Sequence, residues 1–202
     1  MGVKAVVFDV GNVLFSWDPR FLYERLIDDD RALDAFLRDV VTHDWHFQHD
    51  AGRPFAETSA ELIAEHPHHS DLIAAWGPRF NESLGPAIEG MTELVEQLDG
   101  QGVPLFAITN FSGEFWTPFR DTQPLFDRFR DIVVSGDERL VKPDAAIYRL
   151  ALERFEMPAE QLLFVDDRAE NVAGAQGVGM HGHLFRDAPT LRAELARHAL
   201  LS

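Results

Sequence analysis

The stretch Lys4-Ala-Val-Val-Phe-Asp-Val-Gly-Asn-Val-Leu14 decides the fold of this chain. Residues 5–8 form a continuous apolar run rich in β-branched side chains, which is typical of a strand buried on both faces of a parallel sheet. The run ends at a carboxylate, Asp9, and Gly11 follows two residues later. Because ligands of open α/β sheets bind beyond the carboxyl ends of the strands, this position predicts a functional carboxylate. An Asp that only begins a turn or caps a helix would give the same pattern.

The segment after this stretch changes to a helical pattern. Apolar residues recur with helical spacing from about residue 17 to residue 79, and no strand-like run appears among them. Breakers at residues 52–54, at Pro67 and at residues 77–78 divide the segment into four or five short helices. We therefore predict an all-helical cap, residues 16–85, inserted after the first strand. A cap beside the carboxyl end of a strand is well placed to gate a pocket.

The remainder of the chain alternates between strand and helix patterns. Four strands are predicted, over 103–109, 132–135, 162–165 and about 183–185. Three helices are predicted between them, over 91–98, 144–155 and 169–176. This alternation is typical of a parallel, doubly wound sheet. The sequence thus predicts an α/β fold with a discontinuous, Rossmann-like core made of residues 1–15 and 86–202.

Three further stretches carry polar side chains at the ends of predicted elements. Phe106-Ala-Ile-Thr-Asn110 ends in a hydroxyl and an amide, which can both donate hydrogen bonds to an anion. Lys142 stands before Pro143 and the next helix, beside the positive end of the helix dipole. Leu162-Leu-Phe-Val-Asp-Asp167 ends in two carboxylates, which repel one another unless a proton or a cation such as Mg²⁺ offsets their charge. Taken singly, these features are equally those of a polar strand end, a solvated lysine and a helix cap.

Composition excludes several classes of function. The 202 residues, 46% of them hydrophobic, suit one domain with or without a smaller inserted one. The net charge of −16 argues against a nucleic-acid or anionic-membrane partner. The absence of cysteine excludes disulfides and thiolate metal sites. No apolar run is long enough to span a bilayer and the sequence starts without a leader pattern, so we expect a cytoplasmic protein.

Together and in this order, the four stretches resemble the haloacid dehalogenase-like hydrolase superfamily. Its pattern is a strand ending in Asp, a strand ending in Ser or Thr, a Lys, and a strand ending in acidic residues. The resemblance covers essentially the whole chain, including a helical cap after the first strand. Residues 8–14, 109–110 and 142–148 most resemble the branch of sugar-1-phosphate (glucose-1-phosphate) phosphatases.

The resemblance implies a role for each motif residue. Asp9 would be the nucleophile and form an aspartyl-phosphate, Thr109 would bind the transferring phosphoryl group, and Asn110 would lie next to it. Lys142 would neutralise Asp9 and the phosphate. The implied ligands of Mg²⁺ are Asp9, the carbonyl of Gly11, Asp166 and, through water, Asp167. The implied partner is a small-molecule phosphate ester, with monomer and homodimer both open.

The sequence departs from the family pattern at Gly11. Phosphatases of this family usually have a second Asp there, which serves as general acid and base. Such help is worth roughly 10²–10⁴-fold in rate, and its loss matters least for a good leaving group such as an anomeric sugar hydroxyl. A histidine of the cap, His43, His46 or His49, could replace the acid, but we expect all three to be solvated on a helix surface. Their spacing matches no familiar zinc site.

Three functions agree with these observations. The first is a Mg²⁺-dependent phosphatase acting on a small phosphorylated metabolite of the sugar phosphate type. The second is a 2-haloacid dehalogenase that uses Asp9 to attack carbon, although such enzymes typically have uncharged residues in place of the acidic pair. The third is a non-catalytic phosphate-binding or interaction protein of the same fold.

Overall fold

The computed structural model describes residues 2–201, and its centre is a five-stranded parallel sheet. The strands of this sheet and of a smaller one, formed by β2 and β3, are listed here in chain order. They are β1 (Ala5–Phe8), β2 (Phe15–Trp17), β3 (Leu84–Ala87), β4 (Leu105–Thr109), β5 (Asp131–Val134), β6 (Leu162–Asp166) and β7 (His181–Leu184). The five-stranded sheet has the order β5-β4-β1-β6-β7, and all its neighbouring strands are parallel. The predicted α/β, Rossmann-like fold is confirmed.

Helices surround this sheet and form most of the segment between β2 and β3. They are α1 (Arg20–Tyr23), α2 (Asp30–Asp39), α3 (His43–Asp50), α4 (Phe55–Glu65), α5 (Ser70–Arg79), α6 (Met91–Gly100), α7 (Gly113–Arg120), α8 (Ser135–Glu138), α9 (Ala145–Phe155), α10 (Ala169–Gly177) and α11 (Ala188–Arg197). Over the part of the chain described, no helix is both long and apolar enough to cross a membrane.

The central strand β1 is buried on both faces, as its continuous apolar run predicts. Val6 and Phe8 belong to the larger core cluster, which also contains residues of α6 and α11. Ala5 and Val7 belong to the second cluster, with residues of α9 and α10. Because helices cover both faces of the sheet, a ligand can reach it only at its edges and at the ends of its strands.

A two-stranded antiparallel sheet, β2 and β3, lies where the helical segment begins and ends. The prediction that residues 16–85 contain no strand is wrong at both of their ends, because β2 extends to Trp17 and β3 begins at Leu84. The sequence concealed β3 because Gly85 and Pro86 are rare inside strands. The helix α11 was also missed, although Asp187 caps it by accepting a hydrogen bond from the Thr190 amide at 2.8 Å.

Aromatic rings join the helical segment to the core. Phe80, after α5, stacks on Phe115 of α7 with 4.6 Å between ring centroids. Phe80 also contacts Phe111, in the loop after β4, at 5.3 Å. His46 of α3 also stacks on Phe80, so these contacts hold α3 and α5 over the carboxyl end of the sheet, where the predicted site lies.

Candidate active site

The register of the sheet brings two of the predicted carboxylates together. Phe8 of β1 is paired with Val165 of β6, and the Asp9 amide donates to the Val165 carbonyl at 2.8 Å. Asp9 and Asp166 are the next residues on these neighbouring strands, and both are buried. Parallel strands that end at the same level therefore create a pair of adjacent carboxylates.

Lys142 joins this pair from the other side. Its Nζ lies 2.8 Å from Oδ1 of Asp9 and 2.7 Å from Oδ2 of Asp166, and the lysine is 2% exposed. Asn110 holds the main chain of Lys142, because its Oδ1 accepts from the Lys142 amide at 2.8 Å and its Nδ2 donates to the Lys142 carbonyl at 3.0 Å. Both polar atoms of the Asn110 side chain thus position the lysine.

Asn171 is a site residue that the sequence analysis missed. Its Nδ2 donates to Oδ1 and Oδ2 of Asp166 at 3.0 and 3.1 Å, and the Arg168 amide donates to Oδ1 at 2.9 Å. Tyr148 in turn donates to the Asn171 carbonyl at 2.7 Å. The available signal was the spacing, since an Asn five residues after a strand-end Asp lies on the first turns of the next helix.

The acidic group fits a hard divalent cation. One oxygen each of Asp9, Asp166 and Asp167 lie within 4.8 Å of one another. Burial raises the pKa of Asp9 to about 7, against the opposing effect of Lys142, and the charge of Asp166 adds to the increase. One lysine cannot balance three carboxylates, and an all-oxygen donor set suits Mg²⁺, which retains water and takes up phosphate oxygens.

A cavity of about 470 Å³ lies directly above this group. Its floor contains Asp9, Gly11, Asn12, Asn110, Lys142, Asp167, Arg168 and Asn171. Its remaining wall is formed by Trp17, His43, His46, Phe47, Asp50, Phe80, Leu84 and Phe111. Thr109, the last residue of β4, is buried at the same end of the sheet and lies outside this lining. The wall is mainly aromatic, whereas the floor is polar.

The expectation for the cap histidines is wrong for two of the three. His43 is exposed, but His46 and His49 are 6% and 1% exposed. His46 stacks on Trp17 at 4.8 Å and on Phe80 at 5.8 Å. Burial lowers the pKa of His46 to about 3, with the nearby His49 adding to the effect. The helix α3 therefore turns His46 and His49 inward, and His46 belongs to the aromatic wall as a neutral ring.

Asp50 is the second site residue that the sequence analysis missed. It is the last residue of α3, is 6% exposed, and lies one helical turn after His46. Burial raises its pKa to about 8, the charge of Asp9 adds to this, and Lys142 and the Ser112 amide oppose it. The cavity thus contains a buried carboxyl group contributed by the helical segment.

Comparison with known proteins places the chain in a family. The family model described as haloacid dehalogenase-like hydrolase matches residues 3–179. The chain belongs to the haloacid dehalogenase-like hydrolase family. The resemblance drawn from the motifs is therefore confirmed, and the protein is a hydrolase with phosphatases among its relatives.

Two curated relatives of this haloacid dehalogenase-like hydrolase are phosphatases. The sesquiterpene phosphatase astK of Aspergillus oryzae is 31% identical over 193 residues, which are 95% of this chain and 94% of that protein. A phosphoglycolate phosphatase of Yersinia pseudotuberculosis is 30% identical over 132 residues, which are 65% of this chain and 54% of that protein.

Solved structures agree on the fold. A haloacid dehalogenase family enzyme of Bacteroides thetaiotaomicron, bt-2542, in complex with magnesium and inorganic phosphate, has a TM-score of 0.69 at 19% identity over 93% of this chain and 96% of that one. The L-2-haloacid dehalogenase RSc1362 has a TM-score of 0.65 at 23% identity over 90% of this chain and 86% of that one. The fold is therefore common to enzymes of different chemistry, and the site must distinguish them.

Proposed function

We propose that this protein is a Mg²⁺-dependent phosphatase that acts through an aspartyl-phosphate on Asp9. The observation that carries the proposal is the group of three carboxylates, Asp9, Asp166 and Asp167, with Lys142 between two of them. A phosphate ester adds a charge of about −1.5 to −2. A divalent cation, together with Lys142, offsets more than half of this negative charge, and Mg²⁺ would supply that charge and polarise the phosphoryl group.

The residues of the chain have separate tasks in this proposal. Oδ1 of Asp9 is occupied by Lys142 and by the Val10 amide at 2.7 Å, which leaves Oδ2 to attack phosphorus. Attack forms the Asp9 acyl phosphate and breaks the bond to the alcohol oxygen. Water then hydrolyses the acyl phosphate and releases phosphate. Thr109 and Lys142 would bind the phosphoryl oxygens, and Asn110 would keep Lys142 in place. The metal ligands would be Asp9, the Gly11 carbonyl, Asp166 and Asp167.

In this proposal residues 16–85 form the cap, and residues 1–15 and 86–202 form the catalytic core. The cap supplies most of the aromatic wall and thus the contact with the organic part of the substrate. A sugar would place several hydroxyl groups against Trp17, Phe47 and Phe80, where each unpaired hydroxyl costs about 1–3 kcal/mol. We therefore propose that the substrate is the phosphate monoester of a largely apolar alcohol rather than of a sugar. The similarity to a sesquiterpene phosphatase supports the same class.

The two other functions are less well supported. A 2-haloacid dehalogenase releases halide and has no phosphate charge to neutralise, so the carboxylate pair Asp166 and Asp167 would serve no purpose there. A non-catalytic binding protein would need no hydrogen-bonded alignment of Asp166 by Asn171 and Arg168.

The test is a substrate panel assayed by phosphate and halide release, with Mg²⁺ and with EDTA. The panel contains an isoprenyl monophosphate, a fatty-alcohol monophosphate, glucose 1-phosphate, phosphoglycolate and a 2-haloacid. We expect Mg²⁺-dependent release of phosphate, fastest from the apolar esters. Halide release, or phosphate release that persists in EDTA, would contradict the proposal.

A further inference from the structure

Gly11, which follows β1, has no side chain that could act as an acid in the reaction. Asp9 attacks phosphorus, and the alcohol oxygen that leaves must take up a proton from another group. Among the described residues that line the cavity, Lys142 is held by two carboxylates, and an Arg guanidinium does not release its proton at neutral pH. Asp9 is the nucleophile and Asp167 a proposed metal ligand, so the titratable groups that remain in the lining are His43, His46 and Asp50.

Asp50 is fixed to the core although it belongs to the helical segment. Its backbone carbonyl accepts a hydrogen bond from Oγ of Ser135 at 2.6 Å. Ser135 is held in turn, because its Oγ accepts from the Phe111 amide at 3.0 Å. The main chain of Asp50 is therefore joined to the residue that follows β5.

Asp50 lines the cavity, and one of its two carboxylate oxygens has no hydrogen-bond partner. Its Oδ1 is buried and has no hydrogen-bond partner, while its Oδ2 lies 3.5 Å from Nε2 of His46. Nδ1 of His46 is likewise buried without a partner. A buried polar atom without a partner costs about 1–3 kcal/mol. Such an atom is expected at a site where a ligand completes the hydrogen bond.

We propose that Asp50 is the general acid and base of this enzyme and replaces the side chain that is absent at Gly11. This assignment rests on the proposed phosphatase function. In the first step Asp9 bonds to phosphorus, the bond from phosphorus to the alcohol oxygen breaks, and that oxygen takes the proton of Asp50. In the second step the Asp50 carboxylate takes a proton from the attacking water, whose oxygen bonds to phosphorus, and the bond to Asp9 breaks. Free phosphate leaves, and Asp50 is again protonated.

The charges around Asp50 agree with this assignment. The groups that face it are the Asp9 carboxylate, Lys142, His46 and the Ser112 amide. Burial and the Asp9 charge raise the pKa of Asp50 to about 8, so that it holds a proton at neutral pH. The pKa of His46 is lowered to about 3, so that its ring is neutral there and supplies no proton.

The experiment compares leaving groups in matched variants. D50N keeps the shape of the side chain but removes its titratable proton, and D44N makes the same change at an exposed position of α3 outside the cavity lining. We expect D50N to lower kcat/KM for alkyl phosphates by roughly 10²-fold or more. The ratio of kcat/KM between wild type and D50N should fall toward one for 4-nitrophenyl phosphate, whose leaving group needs no proton. D44N should behave as wild type on both substrates.

A second variant tests whether the missing function is proton transfer. A Cβ at Gly11 meets no heavy atom within 4 Å, and Gly11 is absent from the residues with positive φ. The variant G11D therefore fits, and adding it to D50N should restore alkyl phosphate hydrolysis at least tenfold. A purely structural role of Asp50 would show no such rescue.

Several results would overturn the assignment. The first is that kcat/KM depends on the pKa of the leaving group equally in D50N and in D44N. Another is a steeper dependence on leaving-group pKa in H43A but not in D50N, which would make His43 the acid. Failure of the wild type to hydrolyse any phosphate ester would instead contradict the proposed function itself, and the assignment of Asp50 with it.

Discussion

Nζ of the buried Lys142 lies 2.8 Å from Oδ1 of Asp9. The same ammonium group lies 2.7 Å from Asp166, so one cation serves two carboxylates on adjacent strands. Burying this many charges is tolerable only because each has a partner, and removing one partner leaves the others uncompensated. The site is therefore a point at which stability and function depend on the same atoms.

We expect K142M to destabilise the metal-free protein by about 3 kcal/mol, the low end of the cost of breaking a buried ion pair. Hydrolysis should be lost as well, and added Mg²⁺ should restore part of the stability by offsetting the two carboxylates. Urea unfolding with and without Mg²⁺ measures both effects. K4M is the matched control, because Lys4 is exposed. Equal midpoints for K142M and K4M would show that the lysine is not the balancing charge.

We expect D167N to weaken Mg²⁺ binding at least tenfold without destabilising the metal-free protein. Asp167 is exposed and completes the oxygen group, whereas Asp166 is buried and holds Lys142 and Asn171. Titration calorimetry with Mg²⁺ gives the affinity, and thermal melts in EDTA give the stability. E153Q, an exposed change on α9, serves as control. Unchanged Mg²⁺ affinity in D167N would remove this residue from the metal site.

We expect the stability of the metal-free protein to depend on pH through Asp50. Its pKa is near 3.8 when unfolded and about 8 when folded, so the folded state binds the proton more tightly. The resulting stabilisation is complete below pH 4 and is lost as pH rises through 8. The side chain introduced in D50N does not titrate in this range. The free energy of unfolding of D50N relative to that of wild type should therefore increase from pH 5 to pH 8.5. Unfolding curves over this range check the trend, and parallel curves for both proteins would contradict it.

We expect the aromatic wall to select the organic group. F47S should lower kcat/KM for an isoprenyl monophosphate roughly tenfold, because about 1.4 kcal/mol of apolar contact is lost. Its effect on acetyl phosphate, which does not reach the wall, should be within twofold. L37S, a half-buried change on α2 outside the cavity lining, is the control for stability. Equal losses on both substrates would place Phe47 away from the organic group.

The sequence predicted the floor of the site better than its wall. Asp9 and Asp166 could be placed together because parallel strands end at one edge of a sheet, and the resemblance to the family added Lys142 to them. No such rule exists for a helical insert, where the face that meets the core depends on packing. The segment 42–50 therefore suggested solvated histidines, whereas α3 buries His46 and His49 among aromatic rings.

Asp50 was missed for a related reason. It lies four positions after His46, which puts both side chains on one face of α3, and this spacing was readable in the sequence. What could not be read was that this face covers the end of β1, because the contact to Ser135 joins positions 85 residues apart. Long-range contacts of this kind carry no local sequence signal.

The most direct measurement is the trapping of a phosphoryl group on Asp9. The wild-type protein is mixed with Mg²⁺ and an apolar phosphate ester, quenched in acid during turnover, and its peptides are analysed by mass spectrometry. We predict the added mass of one phosphoryl group on the peptide that contains Asp9, and its absence in EDTA and in D9N. Steady release of phosphate with no label on Asp9, or full turnover by D9N, would contradict the account.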